Sequence, residues 1–279
     1  MGVPQKKFAQ VGGASVCYVE GGQGPTLVLI HGFLVSHAVW NDVWDLLSPH
    51  FRIIAPDLLG HGDSARPPVG STPYDADDLA DRVAGLLETL GVKNATVVGH
   101  SMGGRIATHV TLRHPALVGR LVLMDSVGVP TELPLLGKIA ALPGLGYVIF
   151  KYIYNRKVVR DYFINDVYKD PARVTPALVD EVYRCLELPN GRDAIYAVFR
   201  AVVAPGRQAV DVEGLLKGLR VPVKILWGEF DKIFPVANAR RFEQLIPGAT
   251  LTVIPGIGHS PPDESPARTA EEIRAFALA

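Results

Sequence analysis

The apolar run Ala95-Thr96-Val97-Val98 passes directly into Gly99-His100-Ser101-Met102-Gly103, and a stretch patterned like a helix follows. A short strand that becomes a helix through such a pentapeptide places Ser101 in the tight turn, its hydroxyl pushed out at the carboxyl edge of a sheet. Small residues suit that turn, because a strained backbone and a closely packed helix leave little room for side chains. Gly103 and Gly104 meet the second need. The motif thus calls for a sheet with helices packed on it and a serine displayed at one edge.

Two downstream residues are placed to work with that serine. Asp231 follows the apolar strand Val223-Lys224-Ile225-Leu226-Trp227, in the turn Gly228-Glu229-Phe230-Asp231. His259 follows Leu251-Thr252-Val253-Ile254, in the loop Pro255-Gly256-Ile257-Gly258-His259. All three residues lie just past the carboxyl end of a strand, and in a parallel sheet those ends share the edge where active sites form. The order Ser, Asp, His is that of a hydrolase triad. Asp125 is a rival for the acid role, because it also ends a strand, Leu121-Val122-Leu123-Met124. Asp231 has a plainer alternative as the cap of a helix starting near Val236.

Elsewhere short β-rich runs alternate with helical patterns, which predicts a mostly parallel sheet. Ser15–Glu20, Leu27–Ile30, Arg52–Ala55 and Gly119–Met124 read as strands. Within Asp75–Leu90, the residues Leu79, Val83, Leu86, Leu87 and Leu90 share one helical face, and Gly91 is the stop. Arg105–Arg113 continues the helix behind Ser101. From about Val127 to Gly218 the alternation ceases, and helical stretches appear between Pro130, Pro134, Pro143, Pro171, Pro176, Pro189 and Pro205. A connection that long predicts a structured insertion. The expected organisation is a core of residues 1–126 and 219–279 with an insertion of residues 127–218. Lys138 and Lys151 interrupt the apolar stretch Leu133–Tyr154, which favours a helix with an apolar underside over a membrane span, with interfacial lipid contact as a second reading.

Twenty-eight basic and 28 acidic residues balance, so the chain carries no footprint for nucleic acid or an anionic surface. Cys17 and Cys185 are read as buried free thiols rather than a disulfide framework. The beginning of the sequence lacks the apolar region of a signal peptide, and a cytoplasmic protein without a stable membrane anchor is expected. No cluster has metal-ligand spacing, and no glycine pattern fits a phosphate cradle.

Taken together, the motifs resemble those of α/β-hydrolases, in particular the esterase, lipase and C–C hydrolase branches. Leu27-Val28-Leu29-Ile30-His31-Gly32-Phe33 resembles the strand and turn that supply an oxyanion-hole amide, and Pro56–Ser64 resembles the loop after the next strand. The resemblance runs from about Leu27 to Phe276, apart from the insertion, which matches no motif. It implies an α/β fold with a mostly parallel central sheet flanked by helices, and a helical cap over the serine. It implies Ser101 as nucleophile, His259 as general base and Asp231 as its orienting acid. Backbone N–H groups of Phe33 and Met102 would form the oxyanion hole, and no cofactor is required.

Serine at the elbow sets the chain apart from dehalogenases and epoxide hydrolases of this fold, which use aspartate there. The expected activity is hydrolysis of a small apolar or aromatic carboxylic ester through an acyl-enzyme. C–C hydrolysis of ring-cleavage products, cofactor-free perhydrolysis and a small-ligand receptor role are the alternatives. His100 and Ser260 stand where C–C hydrolases usually carry asparagine and an aromatic residue. Tyr147, Phe150, Tyr152, Phe163 and Phe199 are candidates for substrate contact, with Phe150 and Phe163 the foremost. His31 and His100 are expected to hold loops by hydrogen bonds, and His61 and Asp63 to brace their turn.

Overall fold

Successive residues of a strand face opposite sides, so a strand buried on both faces needs apolar residues at odd and even positions alike. The central strands meet this condition. In the computed structural model, which describes residues 4–129, 135–142, 144–203 and 212–279, they sort into two apolar layers. Val28, Ile30, Val97, Leu121, Leu123, Ile225 and Trp227 belong to one buried cluster. Their neighbours Leu27, Leu29, Val98, Val122, Met124 and Leu226 belong to the other.

The strands are β1 (Lys6–Val11), β2 (Ala14–Gly21), β3 (Thr26–Ile30), β4 (Arg52–Pro56), β5 (Ala95–His100), β6 (Val118–Met124), β7 (Val223–Gly228) and β8 (Thr250–Ile254). They form one sheet in the order β1-β2-β4-β3-β5-β6-β7-β8. β2 pairs antiparallel with both β1 and β4, and every other pairing is parallel. The α/β architecture expected from the sequence is therefore present. β1 is an addition to it. Its first five residues are exposed or half-buried, so it carries none of the apolar pattern that marks the inner strands.

The helices beside the sheet follow their sequence signals. Ala76–Thr89 is capped by the Asp75 side chain, which accepts from Asp78 N–H at 2.9 Å. Its buried face includes Leu79, Val83, Leu86 and Leu87. Gly91, with φ of 66°, stands just beyond it, as a left-handed stop requires. Arg82 on this helix donates to the Val11 carbonyl at 2.8 Å and so ties down the β1–β2 hairpin.

Between β6 and β7 the described residues contain helices and no strand. The α-helices are Leu135–Ala140, Leu145–Val148, Arg156–Tyr162, Pro176–Glu187, Gly191–Val198 and Val212–Gly218, with π-helical turns at Ile149–Ile153, Phe163–Val167 and Phe199–Val203. Pro171 and Pro176 each open a helical segment, where the missing N–H costs nothing. Pro130, Pro134, Pro143 and Pro205 lie outside the described residues, as does Leu133 at the head of the apolar stretch. A third apolar cluster joins Phe150, Val159, Phe163, Val167, Tyr168, Val182 and Phe199 of this segment to Leu34 behind β3. Among the described residues, no helix is long and apolar enough to cross a membrane. Both cysteines are free and buried, and burial pushes the Cys17 thiol up to about 12.

The turn after β4 is braced differently from the sequence expectation. Asp57 does most of the work: Oδ1 accepts from the His37 backbone N–H (2.8 Å) and His37 Nδ1 (2.7 Å), and Oδ2 from Asp63 N–H (2.8 Å). Burial pushes its carboxyl up, but the hydrogen bonding by His37 outweighs this and holds it at about 2. His61 makes only a 3.3 Å contact to the Leu59 carbonyl, and the Asp63 carboxylate turns outward to Lys6 and Arg184. The pair is invisible in sequence because Asp57 and His37 lie 20 positions apart with no periodic relation.

Replacing Asp57 with Ala would strand the two buried His37 donors and the half-buried Asp63 N–H. Breaking a buried pair by removing one partner costs about 3–5 kcal/mol. Urea unfolding of the D57A variant should register a loss of that size, and a loss under about 1 kcal/mol would show that this brace is dispensable.

Candidate active site

The strand order sets β3, β5, β6, β7 and β8 side by side, all parallel. Their carboxyl ends therefore deliver Gly32-Phe33, Ser101, Asp125, Asp231 and His259 to one edge of the sheet, from chain positions spread over more than two hundred residues. This is the edge at which ligands bind in open α/β sheets.

Ser101 sits between β5 and the helix Met102–Arg113 with φ of 53° and ψ of −119°, a conformation that costs a non-glycine residue about 1–3 kcal/mol. Close packing around the turn maintains it. A Cβ on Gly103 would lie 2.3 Å from the Ile30 carbonyl oxygen, and one on Gly99 would lie 2.3 Å from the Gly103 oxygen. Real Cβ atoms do not approach so closely, so both positions are confined to glycine. A Cβ on Gly32 would come within 3.1 Å of the Ser101 Cβ, so the loop leading to Phe33 runs directly past the serine. Met102, whose N–H is the other expected oxyanion donor, is the first residue of the helix, where N–H groups lack intrahelical acceptors.

His259 joins Ser101 to Asp231. Its Nε2 is 2.9 Å from Ser101 Oγ, and its Nδ1 is 2.8 Å from Asp231 Oδ2. All three residues are buried. With the proton on Nδ1 donated to the carboxylate, Nε2 is left to accept from the serine hydroxyl. Asp231 Oδ1 accepts from the N–H groups of Ile233 (2.8 Å) and Phe234 (2.9 Å). Burial pushes this carboxyl up, yet His259 and these donors bring it below the usual carboxylate range. Asp231 is not a helix cap: the helix Val236–Leu245 is preceded by Pro235 and has no side-chain cap. Asp125 stands beside Asp231, but the Nδ1 bond of His259 goes to Asp231.

The neighbouring histidines hold loops. His100 Nε2 donates to the His259 carbonyl at 2.7 Å, and burial brings His100 down to about 3, so it is a neutral brace. His31 Nδ1 donates to the Gly32 carbonyl at 2.7 Å while Nε2 accepts from Leu58 N–H at 2.9 Å. Oxygen and nitrogen atoms of Asp125, Asp231 and His259 lie within 4.8 Å of one another, close enough for a metal-binding group. Two of these atoms are already joined by the direct hydrogen bond between Asp231 Oδ2 and His259 Nδ1.

Above Ser101 lies a cavity of about 30 Å³, lined by Gly32, Phe33, Val35, Val39, Tyr162, Phe163, Val167, Tyr168 and Ser260 besides the serine and histidines. A second cavity of about 510 Å³ shares Val35, Val39 and Tyr168 with it. Of the aromatic candidates, Phe163 lines the small cavity. Phe150 packs behind it against Phe33, Tyr154 and Phe199. Tyr152 is exposed, and the Tyr147 ring lies tilted against that of Tyr196. Sequence reasoning missed Tyr162, Val167 and Tyr168, which sit at a π-helical turn with no periodic signal.

That turn is fastened to the histidine loop. Val167 O accepts from His259 N–H at 2.7 Å, and Lys169 N–H donates to Glu264 at 2.8 Å. Tyr168 and Ser260 hydroxyls both donate to Asp263, at 2.7 and 2.6 Å. Burial pushes Asp263 up to about 6 although both hydroxyl bonds pull it down.

Comparison with known proteins bears on the fold and the family. Residues 25–144 match the family model described as alpha/beta hydrolase fold. The chain is 30% identical to 2-hydroxy-6-oxo-2,4-heptadienoate hydrolase of Pseudomonas putida, over 91% of this chain and 89% of that one. Among solved structures it resembles Cfl2 of Burkholderia cenocepacia, with a TM-score of 0.85, 30% identity, and coverage of 98% and 95% of the two chains. A thermophilic esterase of Thermogutta terrifontis superposes with a TM-score of 0.78 at 25% identity, covering 98% and 97%. A mostly parallel sheet with a serine at the turn after β5, in a chain that these relatives match over nearly its whole length, places the chain in the alpha/beta hydrolase fold family.

Proposed function

We propose that this protein is a serine hydrolase that cleaves a small apolar or aromatic carboxylic ester. The observation that carries the reading is the unbroken hydrogen-bonded chain from Ser101 Oγ through His259 to Asp231. A serine hydroxyl is a weak nucleophile until a base takes its proton. His259 Nε2 takes it as Oγ attacks the ester carbonyl, and then returns it to the departing alcohol. Asp231 keeps the imidazole in the Nδ1–H tautomer and stabilises the imidazolium. The N–H groups of Phe33 and Met102 receive the negative charge that develops on the carbonyl oxygen. Water then repeats the sequence on the acyl-enzyme, with the acid released.

The helices described between β6 and β7, within the insertion of residues 127–218 expected from the sequence, serve as the cap. The cavity at Ser101 holds about one water, so the acyl group enters only as Tyr162, Phe163 and Tyr168 give way, while the adjoining 510 Å³ cavity has the volume of a typical ligand site. C–C hydrolysis is the second reading, favoured by likeness to the P. putida dienoate hydrolase. His100 and Ser260 stand where that chemistry usually has asparagine and an aromatic residue, and this favours the ester.

Ser101→Ala should reduce turnover of p-nitrophenyl butyrate by about 10⁴-fold or more with the fold intact. Retention of near-wild-type turnover would eliminate the serine mechanism. A ring-cleavage dienone turned over faster than every ester would install the second reading, and a single stoichiometric burst would mark a receptor.

Selectivity should depend on Phe163 and not on Phe150. Phe163→Val should raise kcat/KM for octanoate and benzoate esters relative to acetate by roughly tenfold, since a methylene accommodated is worth only about 1–3 kcal/mol. Phe150→Val should lower thermal stability and leave the acyl-chain profile unchanged. Equal responses of the whole ester series to both variants would show that the cap does not select the acyl chain.

A further inference from the structure

Another buried ionisable side chain adjoins Asp231 and has no part in the mechanism above. Asp125 leaves the end of β6 with φ of 44° and no solvent exposure. Its N–H donates to the Leu226 carbonyl at 3.1 Å, and its Oδ1 accepts from Gly228 N–H at 2.9 Å. Both partners belong to β7, so Asp125 is fastened to the strand that delivers Asp231. Its Oδ2 is buried and, among the described residues, has no hydrogen-bond partner. Oxygens of Asp125 and Asp231 lie within 4.8 Å of each other, in the same group as a His259 nitrogen.

Two carboxylates this close and this buried do not both ionise; they hold one proton between them. The donors decide which keeps the charge. Asp231 receives three hydrogen bonds, from Ile233 N–H, Phe234 N–H and His259 Nδ1. Asp125 receives one, from Gly228 N–H. The proton therefore belongs to Asp125, where it converts an orphaned acceptor into a donor facing a carboxylate.

We propose that Asp125 is a positioning residue: a neutral carboxylic acid that donates its proton to Asp231 and so holds that carboxylate charged and aimed at His259. The inference rests on the reading of Ser101, His259 and Asp231 as a catalytic relay. The charged and titratable groups facing Asp125 are Asp231 and, more distantly, Glu264, with His259 beyond Asp231. Burial first, and then the charge of Asp231, push the Asp125 carboxyl well above the usual range, in the direction the geometry requires.

The test compares kcat/KM against pH for wild type, Asp125→Ala and Asp125→Asn, with p-nitrophenyl butyrate between about pH 5 and 9. The Ala variant loses the donor. Asp231 becomes more basic, its hold on the imidazolium tightens, and the acid limb of the profile moves to higher pH, with kcat down about tenfold for one lost buried hydrogen bond. In the Asn variant the amide N–H replaces the acid O–H and the amide oxygen still accepts from Gly228. Most of the lost kcat and the wild-type acid limb should return. If Asp125→Ala does not fold, Asp125→Leu, which keeps volume without the donor, takes its place.

Three results would overturn the proposal. An acid limb moved to lower pH by about a unit or more in Asp125→Asn would mean that Asp125 is an anion. An Asn variant as inactive as Asp231→Asn would make Asp125 the acid itself. Ala and Asn variants that are alike, or an Ala variant indistinguishable from wild type, would leave Asp125 a structural residue. Ser101→Ala separates the two levels: if it stays active the relay reading fails, whatever the Asp125 variants do.

Discussion

Where β5 turns into the helix Met102–Arg113, the first turn of the helix packs so closely on the end of β5 and on β3 that no side chain fits at Gly99 or Gly103. This contact holds Ser101 in a conformation it would not adopt alone, and the strain of about 1–3 kcal/mol is offset by the burial of β3, β5 and the helix around it. The position of the serine is therefore a property of the core. The loop carrying Phe33 is drawn in by the same packing, since Gly32 lies against Ser101. A change that loosened the strand–helix contact would disturb Ser101 and the Gly32-Phe33 loop together.

The histidine loop is packed closely too, since a Cβ on Gly228 would lie 1.8 Å from the Gly258 carbonyl oxygen, and it is held further by hydrogen bonds. The His259 N–H reaches Val167 of the helical segment, its carbonyl receives His100, and Gly258 N–H is bound by Glu264. Buried polar groups of this kind are costly when unpaired and rigid when satisfied, which suits a loop that has to present a ring nitrogen to a hydroxyl within a few tenths of an ångström. One bond in this set comes from the helical segment between β6 and β7. The helical segment between β6 and β7 thus bonds to the His259 loop through Val167 as well as lining the cavity above Ser101.

What the sequence makes legible follows from how local each signal is. The elbow at Ser101 is a contiguous strand–turn–helix pattern, and the parallel alternation identifies the other strand ends, so Asp231 and His259 stand out once the sheet is inferred. The choice of Asp231 over Asp125 is less local: both end strands, and only the hydrogen bond from His259 separates them. β1 escapes notice because an exposed edge strand needs no apolar alternation. The Asp57–His37 brace and the Tyr168–Asp263–Ser260 network join side chains from distant segments, and a single sequence carries no record of such pairs. In the helical segment, π-turns break the 3.6-residue period, so helix existence is readable but the residues facing the serine are not.

The central claim is that Ser101 is a hydroxyl made nucleophilic by its neighbours, and trapping that oxygen covalently tests it most directly. The native protein is incubated with a fluorophosphonate, which reacts with activated serines, and the adduct is located by peptide mass spectrometry while residual esterase activity is followed. The account predicts one adduct per chain, on the peptide that contains Ser101, with activity falling in proportion to labelling. Full labelling of Ser101 with activity intact, or loss of activity with Ser101 unmodified, would contradict it.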